Sequence, residues 1–129
     1  MITDEEMNEF LQSIGGLENG YYTDREPITN CGFFALDNGW FPLIKELIED
    51  LIALGWDKQT CCVKEKFGSM RFYINKGSDE IFNRISKAER DSYEICEKCG
   101  EKGELRKDLG WVLTLCDKHY QEQKDKLNK

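Results

Sequence analysis

Two pairs of residues in the last third of the sequence have the types and spacing of a metal site. Cys96-Glu97-Lys98-Cys99-Gly100 sets two thiols two residues apart, and Cys116 and His119 follow as C-x2-H. A tight turn brings the first two sulfurs to one side. Gly100 allows the positive φ that aims the turn's amides at the thiolates. At the start of a helix, residues i and i+3 project from one face, so Cys116 and His119 can act together. Three thiolates and an imidazole are a donor set for structural Zn²⁺, and one zinc per chain is the expected cofactor. The site would keep a net negative charge, which Lys98, Lys102, Arg106, Lys107 or Lys118 could offset. The competing reading is a set of unliganded buried thiols. It leaves unexplained why the only histidine falls three residues after a cysteine.

Between the two pairs, Glu104–Lys107 and Trp111–Leu115 read as a hairpin across Asp108-Leu109-Gly110. A knuckle, a hairpin and a helix carrying the last two ligands make a treble-clef-like arrangement. Four protein ligands leave no coordination position for water or substrate. With His119 used, no histidine remains for a Ser-His or Cys-His nucleophile pair. No catalytic residues are therefore assigned, and the protein is not expected to be an enzyme. A small carboxylate-dependent hydrolase is the form an enzyme would take. Cys31, Cys61 and Cys62 read as buried thiols, since neighbours in a strand point to opposite faces and cannot easily share a metal.

The elements around this module follow from periodicity. Residues 3–14 read as a helix with Thr3 and Glu6 as a capping box, and Met7, Phe10, Leu11 and Ile14 as its apolar stripe. Residues 41–54 read as a helix with Pro42 in its first turn. Leu43, Ile44, Leu47, Ile48, Leu51 and Ile52 form its apolar face, and Gly55 stops it. Ser78 caps a third helix over about 79–93. Residues 59–75 read as a β-hairpin turning at Gly68-Ser69. Phe67 then faces Met70, Lys66 faces Arg71, Lys64 faces Tyr73 and Val63 faces Ile74. Val63, Phe67, Met70, Phe72 and Ile74 share one face, and Phe67, Phe72, Ile74, Leu47, Leu51 and Ile85 are expected in one core. The 15–39 segment shows no clean period, and Phe33-Phe34-Ala35-Leu36 reads as a hidden strand within it. Its aromatics either pin the loop to the core or serve a binding site. The expected fold class is α+β, with helices packed on a small antiparallel sheet. The expected domains are an α+β core over 1–93 and a zinc-binding, treble-clef-like module over 94–129.

The opposite face of the first hairpin carries Cys62, Lys64, Lys66, Arg71 and Tyr73. Like charges placed opposite each other cost stability in an isolated pair. On a chain of formal charge −7, they suggest an anion site in which Lys64, Lys66, Arg71 and Tyr73 grip a phosphate. Tyr21, Tyr22 or the tryptophans could stack a base beside it. The competing reading is a solvated face whose lysines reach nearby carboxylates. The acidic balance argues against binding double-stranded DNA. No apolar run approaches the roughly 20 residues of a membrane span. Met1–Glu6 lacks the pattern of a signal peptide, so the expected location is the cytoplasm.

Three stretches together resemble a group of small bacteriophage and prophage proteins. They are Val63-Lys64-Glu65-Lys66-Phe67-Gly68-Ser69-Met70-Arg71-Phe72-Tyr73, Ile95-Cys96-Glu97-Lys98-Cys99-Gly100, and Gly110-Trp111-Val112-Leu113-Thr114-Leu115-Cys116-Asp117-Lys118-His119. That group carries a VKEKFG-x-LRFY-like hairpin followed by an ICE-x-CG…GW…TLC-D-x-H zinc module. Gly39-Trp40-Phe41-Pro42-Leu43-Ile44 is similar as well, and Met70 stands where leucine is usual. The resemblance implies phage origin, and hence the cytoplasm of a host bacterium, together with zinc and the fold. It carries no activity with it. The function expected is a non-catalytic binding protein that counters host defence by occupancy. Its target would be a phosphorylated, nucleotide-type immune signal or a defence protein. A homo-oligomer would suit such a site, since subunit junctions often form pockets. The alternative is a nucleic-acid-binding or transcription accessory zinc protein.

Overall fold

The computed structural model describes residues 2–20 and 26–128. Tyr21 and Tyr22 lie outside the described residues. The elements in order are α1 (Asp4–Ser13), β1 (Leu17–Asn19), β2 (Pro27–Ile28), α2 (Phe41–Ala53), β3 (Gln59–Thr60), β4 (Cys62–Lys66), β5 (Ser69–Tyr73), α3 (Asp79–Ser92), β6 (Glu104–Arg106), β7 (Leu113–Leu115) and α4 (Asp117–Leu127). The fold class is α+β. No helix among the described residues is long and apolar enough to cross a membrane.

The helices form where their patterns place them. Thr3 Oγ1 accepts the Glu6 N–H at 3.1 Å while the Glu6 carboxylate accepts the Thr3 N–H at 3.4 Å, closing the capping box of α1. On α2, Ile44, Leu47, Ile48 and Leu51 are fully buried, whereas Ile52 lies at the exposed margin of the face. Ser78 Oγ accepts the Ile81 N–H to cap α3, which buries Ile81, Ile85 and Ala88. These side chains join Met7, Leu11, Trp40, Trp56, Val63, Met70 and Phe72 in one apolar cluster.

The first hairpin turns at Phe67-Gly68 and not at Gly68-Ser69. Its register pairs Cys62 with Tyr73, Val63 with Phe72, Lys64 with Arg71, Glu65 with Met70 and Lys66 with Ser69. Phe67 and Gly68 have φ of 54° and 82°, the positive pair that a twisted two-residue hairpin needs. Ser69 is buried, and its Oγ donates to Lys66 O at 3.1 Å across the turn. The pairing differs from the expected one by an even step, so each side chain keeps its face while its partner changes. Lys66 therefore does not face Arg71; Lys64 does. Phe67 leaves the core and stands 66% exposed at the tip. Ile74 is only partly buried against the core.

Two further corrections concern the small strands. In place of a strand over 33–36, a 3₁₀ turn at Cys31–Phe33 leads to a single parallel bridge between Ala35 and Lys64. In place of one antiparallel sheet there are, among the described residues, three small ones. The first has order β2-β1-β3, with β1 and β3 parallel, and the others are the β4-β5 and β6-β7 hairpins.

The outer edge of β5 is closed by side chains of α3. Met70 N–H donates to Ser92 Oγ at 2.9 Å, and Phe72 N–H donates to the Glu89 carboxylate at 3.2 Å. An edge strand thus loses its free donors to a helix and not to another chain. Ser92 is fully buried. Ser92→Ala is expected to cost about 1–3 kcal/mol because it strands the Met70 N–H. A lower urea midpoint at unchanged slope would record that loss, and an unchanged midpoint would contradict it.

Candidate metal centre

The knuckle is built by backbone hydrogen bonds. Cys96 N–H donates to Glu101 O at 2.7 Å and Gly100 N–H to Cys96 O at 2.8 Å. Gly100 has φ +82°, as its place after the second cysteine requires. The other two ligands come from the start of α4, where Cys116 is the N-cap. Arg106 fixes that end. Its Nη2 donates to Leu115 O at 3.1 Å and to Asp117 Oδ1 at 2.8 Å, and its guanidinium lies 4.2 Å from the centroid of the Tyr120 ring.

The ligand atoms of Cys96, Cys99, Cys116 and His119 all lie within 4.8 Å of one another. Cys99 Sγ is 3.7 Å from Cys116 Sγ. His119 Nδ1 is 3.7 Å from Cys96 Sγ and 3.2 Å from Cys116 Sγ. An ion with tetrahedral metal–sulfur bonds of about 2.3 Å holds its sulfurs about 3.8 Å apart, with sulfur–nitrogen edges slightly shorter. The four groups therefore fit around one such ion, bound through Nδ1 of the histidine. Nε2 of His119 faces Glu122 Oε2 at 3.9 Å, one turn along α4, where a carboxylate can orient a ligating ring.

The thiols are unequal before any metal binds. Burial and the neighbouring Cys96 and Cys116 thiols push Cys99 up to about 11, against the backbone N–H of Glu101. Cys116 is also opposed by burial, but hydrogen bonds from the His119 backbone N–H and ring, with those of the other two thiols, bring it down to about 7. Metal binding must therefore displace protons. Cys31, Cys61 and Cys62 are free thiols apart from this cluster; Cys31 and Cys61 are buried as expected, whereas Cys62, on the outer face of the first hairpin, is only half-buried. Burial, with Asp4 nearby, raises Cys31, and Cys61 Sγ donates to Asn75 Oδ1 at 2.9 Å.

The residue between the ligands that sequence reasoning passed over is Glu97. It is 5% exposed. Its N–H donates to Thr114 O at 3.0 Å, its carboxylate accepts the Thr114 N–H at 3.2 Å, and its carbonyl accepts the Gly39 N–H at 3.0 Å. Burial pushes the carboxyl up to about 7, against that Thr114 N–H, with Glu65 nearby adding to the rise. Trp40 adds a bond from Nε1 to Ile95 O at 2.8 Å, and Thr114 Oγ1 donates to Gly68 O at 2.5 Å. The Cys/His module is thus gripped by Gly39-Trp40 on one side and by the tip of the first hairpin on another. Of the candidate offsetting cations, Lys98 pairs with Asp37 at 2.6 Å and Arg106 with Asp117.

The second group of sequence-predicted residues lies on the outer face of the first hairpin. Lys64 and Arg71 are directly opposite and half-buried, and Lys66 and Tyr73 are exposed. Lys64 Nζ is 5.7 Å from the Tyr73 ring centroid. Among the described residues, Lys64, Lys66 and Arg71 form no ion pair, and Arg71 Nε is buried with no hydrogen-bond partner. No protein-family model, curated protein or solved structure matches the chain.

Proposed function

We propose that the chain is a zinc-containing binding protein that acts by occupancy, holding a phosphorylated nucleotide-type ligand on the basic face of the first hairpin. The unpartnered Arg71 Nε, beside Lys64, Lys66 and Tyr73, carries this reading. A buried guanidinium nitrogen without an acceptor is costly, and a phosphate oxygen would supply one in bidentate geometry. Zinc is the ion that best suits three thiolates and an imidazole. In a closed four-ligand, treble-clef-like module its role is structural. In the phage setting that the resemblance implies, the ligand would be a host nucleotide signal removed from use.

Mass spectrometry of small molecules released by heating the purified protein, with calorimetric titration of thymidine monophosphate, tests the reading. Arg71→Ala is expected to weaken binding about tenfold, on the order of 1–2 kcal/mol. Its melting temperature should stay within a few degrees or rise, because Lys64 is relieved of a like charge. Unchanged affinity with a large loss of melting temperature would mark Arg71 as structural and reject the site.

A further inference from the structure

Phe67 has a backbone conformation that its side chain does not favour. Among the described residues, the non-glycine residues with positive φ are Lys58 (65°) and Phe67 (54°). For a bulky side chain this region costs about 1–2 kcal/mol. Lys58 has a structural return: its Nζ donates to Ile14 O at 2.7 Å, closing the end of α1. Phe67 has none of that kind. It belongs to neither apolar cluster and is 66% exposed, with Lys66 Nζ 5.7 Å from its ring centroid. Asparagine or glycine would make the same turn more easily. A residue kept where it is strained and wet points to a use for its ring outside the fold.

A second exposed aromatic lies one residue along the chain from a contact of this turn. A methyl at Gly68 would meet Leu105 Cδ1 at 2.6 Å and Val112 Cγ1 at 3.2 Å, so the tip of the first hairpin rests on the second. Trp111, the neighbour of Val112, is 56% exposed, whereas Trp40 and Trp56 are buried. The sequence segment that carries these tips has a charge balance opposite to that of the whole chain. Residues 1–57 hold 12 Asp and Glu against 2 Lys and Arg, whereas residues 58–129 hold 13 against 16. The net −7 thus comes from the N-terminal segment of the sequence, and the segment that holds both hairpins is net positive.

We propose that the two hairpin tips form a stacking platform for single-stranded nucleic acid, with bases on Phe67 and Trp111 and phosphates along Lys66, Lys64 and Arg71. The proposal rests on the reading of the basic face as a phosphate site and extends it from one nucleotide to a strand. Exposed aromatics beside unpaired cations fit unpaired bases, whose π-faces stack without regard to sequence. A duplex keeps those faces covered.

The test is fluorescence polarisation with a labelled ten-nucleotide oligothymidylate, with thymidine monophosphate as competitor. Phe67→Gly is the informative variant because glycine adopts the turn without strain, so its melting temperature should hold or rise. The wild-type protein is expected to bind the oligonucleotide at least about tenfold more tightly than the monophosphate, with binding that weakens as salt rises. Stacking on Trp111 should quench tryptophan fluorescence. Phe67→Gly and Trp111→Ala should each lose about tenfold in affinity. If both variants keep wild-type affinity and the oligonucleotide binds no better than the monophosphate, while Arg71→Ala weakens both, the platform is rejected and the phosphate site stands. If neither ligand binds, both readings fall.

Discussion

Stripping the metal, or changing Cys99 to serine, is expected to unfold the segment from Glu94 onward and to lower the melting temperature of the whole chain. The buried apolar cluster of that segment is only Cys96, Leu109, Leu113 and Leu115, far too little to order some 30 residues alone. Structural zinc supplies about 10–16 kcal/mol of apparent binding energy in small modules, and there binding energy is folding energy. The core feels the loss because Trp40 Nε1, Gly39 N–H and Gly68 O all take partners from the module. The pH dependence has a definite sign. Cys99, held near 11 by burial, must shed its proton to become a ligand, so apparent zinc affinity weakens as pH falls. Elemental analysis should find one zinc per chain in protein purified without chelators. Chelator treatment should abolish the near-ultraviolet dichroism. Metal-free protein that melts like the untreated sample would overturn the assignment.

What could be read from the sequence depended on whether local chemistry or tertiary contact decided the outcome. The Cys/His cluster was legible because a metal site would dictate both residue type and spacing. The helices were legible because Thr3, Pro42 and Ser78 mark their starts and the apolar periods are long. The hairpin turn was not. Residue preference selects Gly68-Ser69, and only the packing of Gly68 on Leu105 and Val112, with Ser69 buried, explains a turn that puts Phe67 at positive φ. The faces survived because the change of register was even. The β2-β1-β3 sheet had no signal, since strands of two or three residues show no period. Glu97 carries no signal in the sequence beyond its place between the two cysteines. Its burial follows from three backbone partners on two other segments, which spacing cannot reveal.

Gly39→Ala is expected to be among the most damaging single substitutions outside the ligand set. Gly39 does not have the positive φ that would forbid alanine, so local conformation gives no warning. The obstacle is space. A Cβ there would lie 2.5 Å or less from the carbonyl oxygens of Cys96 and Glu97, and a knuckle shaped by four ligands cannot yield as a flexible side chain does. The substitution must push the knuckle away, breaking the Gly39 N–H to Glu97 O bond and pulling Ile95 O from Trp40 Nε1. The expected loss is about 3 kcal/mol or more, a fall of roughly 10 °C or more in melting temperature for a chain of this size. Gly55→Ala is the matched control. Gly55 has φ +91° with nothing within 4 Å of the added methyl, so it pays only conformational strain of about 1 kcal/mol. Because the knuckle and the start of α2 hold each other, the effect must also run in reverse: Gly39→Ala should weaken zinc binding in a competition with a chromophoric chelator, while Gly55→Ala leaves it unchanged. Equal melting temperatures and equal zinc affinities for the two variants would show that the core does not clasp the metal module. A loss confined to Gly39→Ala would show that the Gly-Trp-Phe-Pro run, far from the cysteines in sequence, is the other half of the same joint.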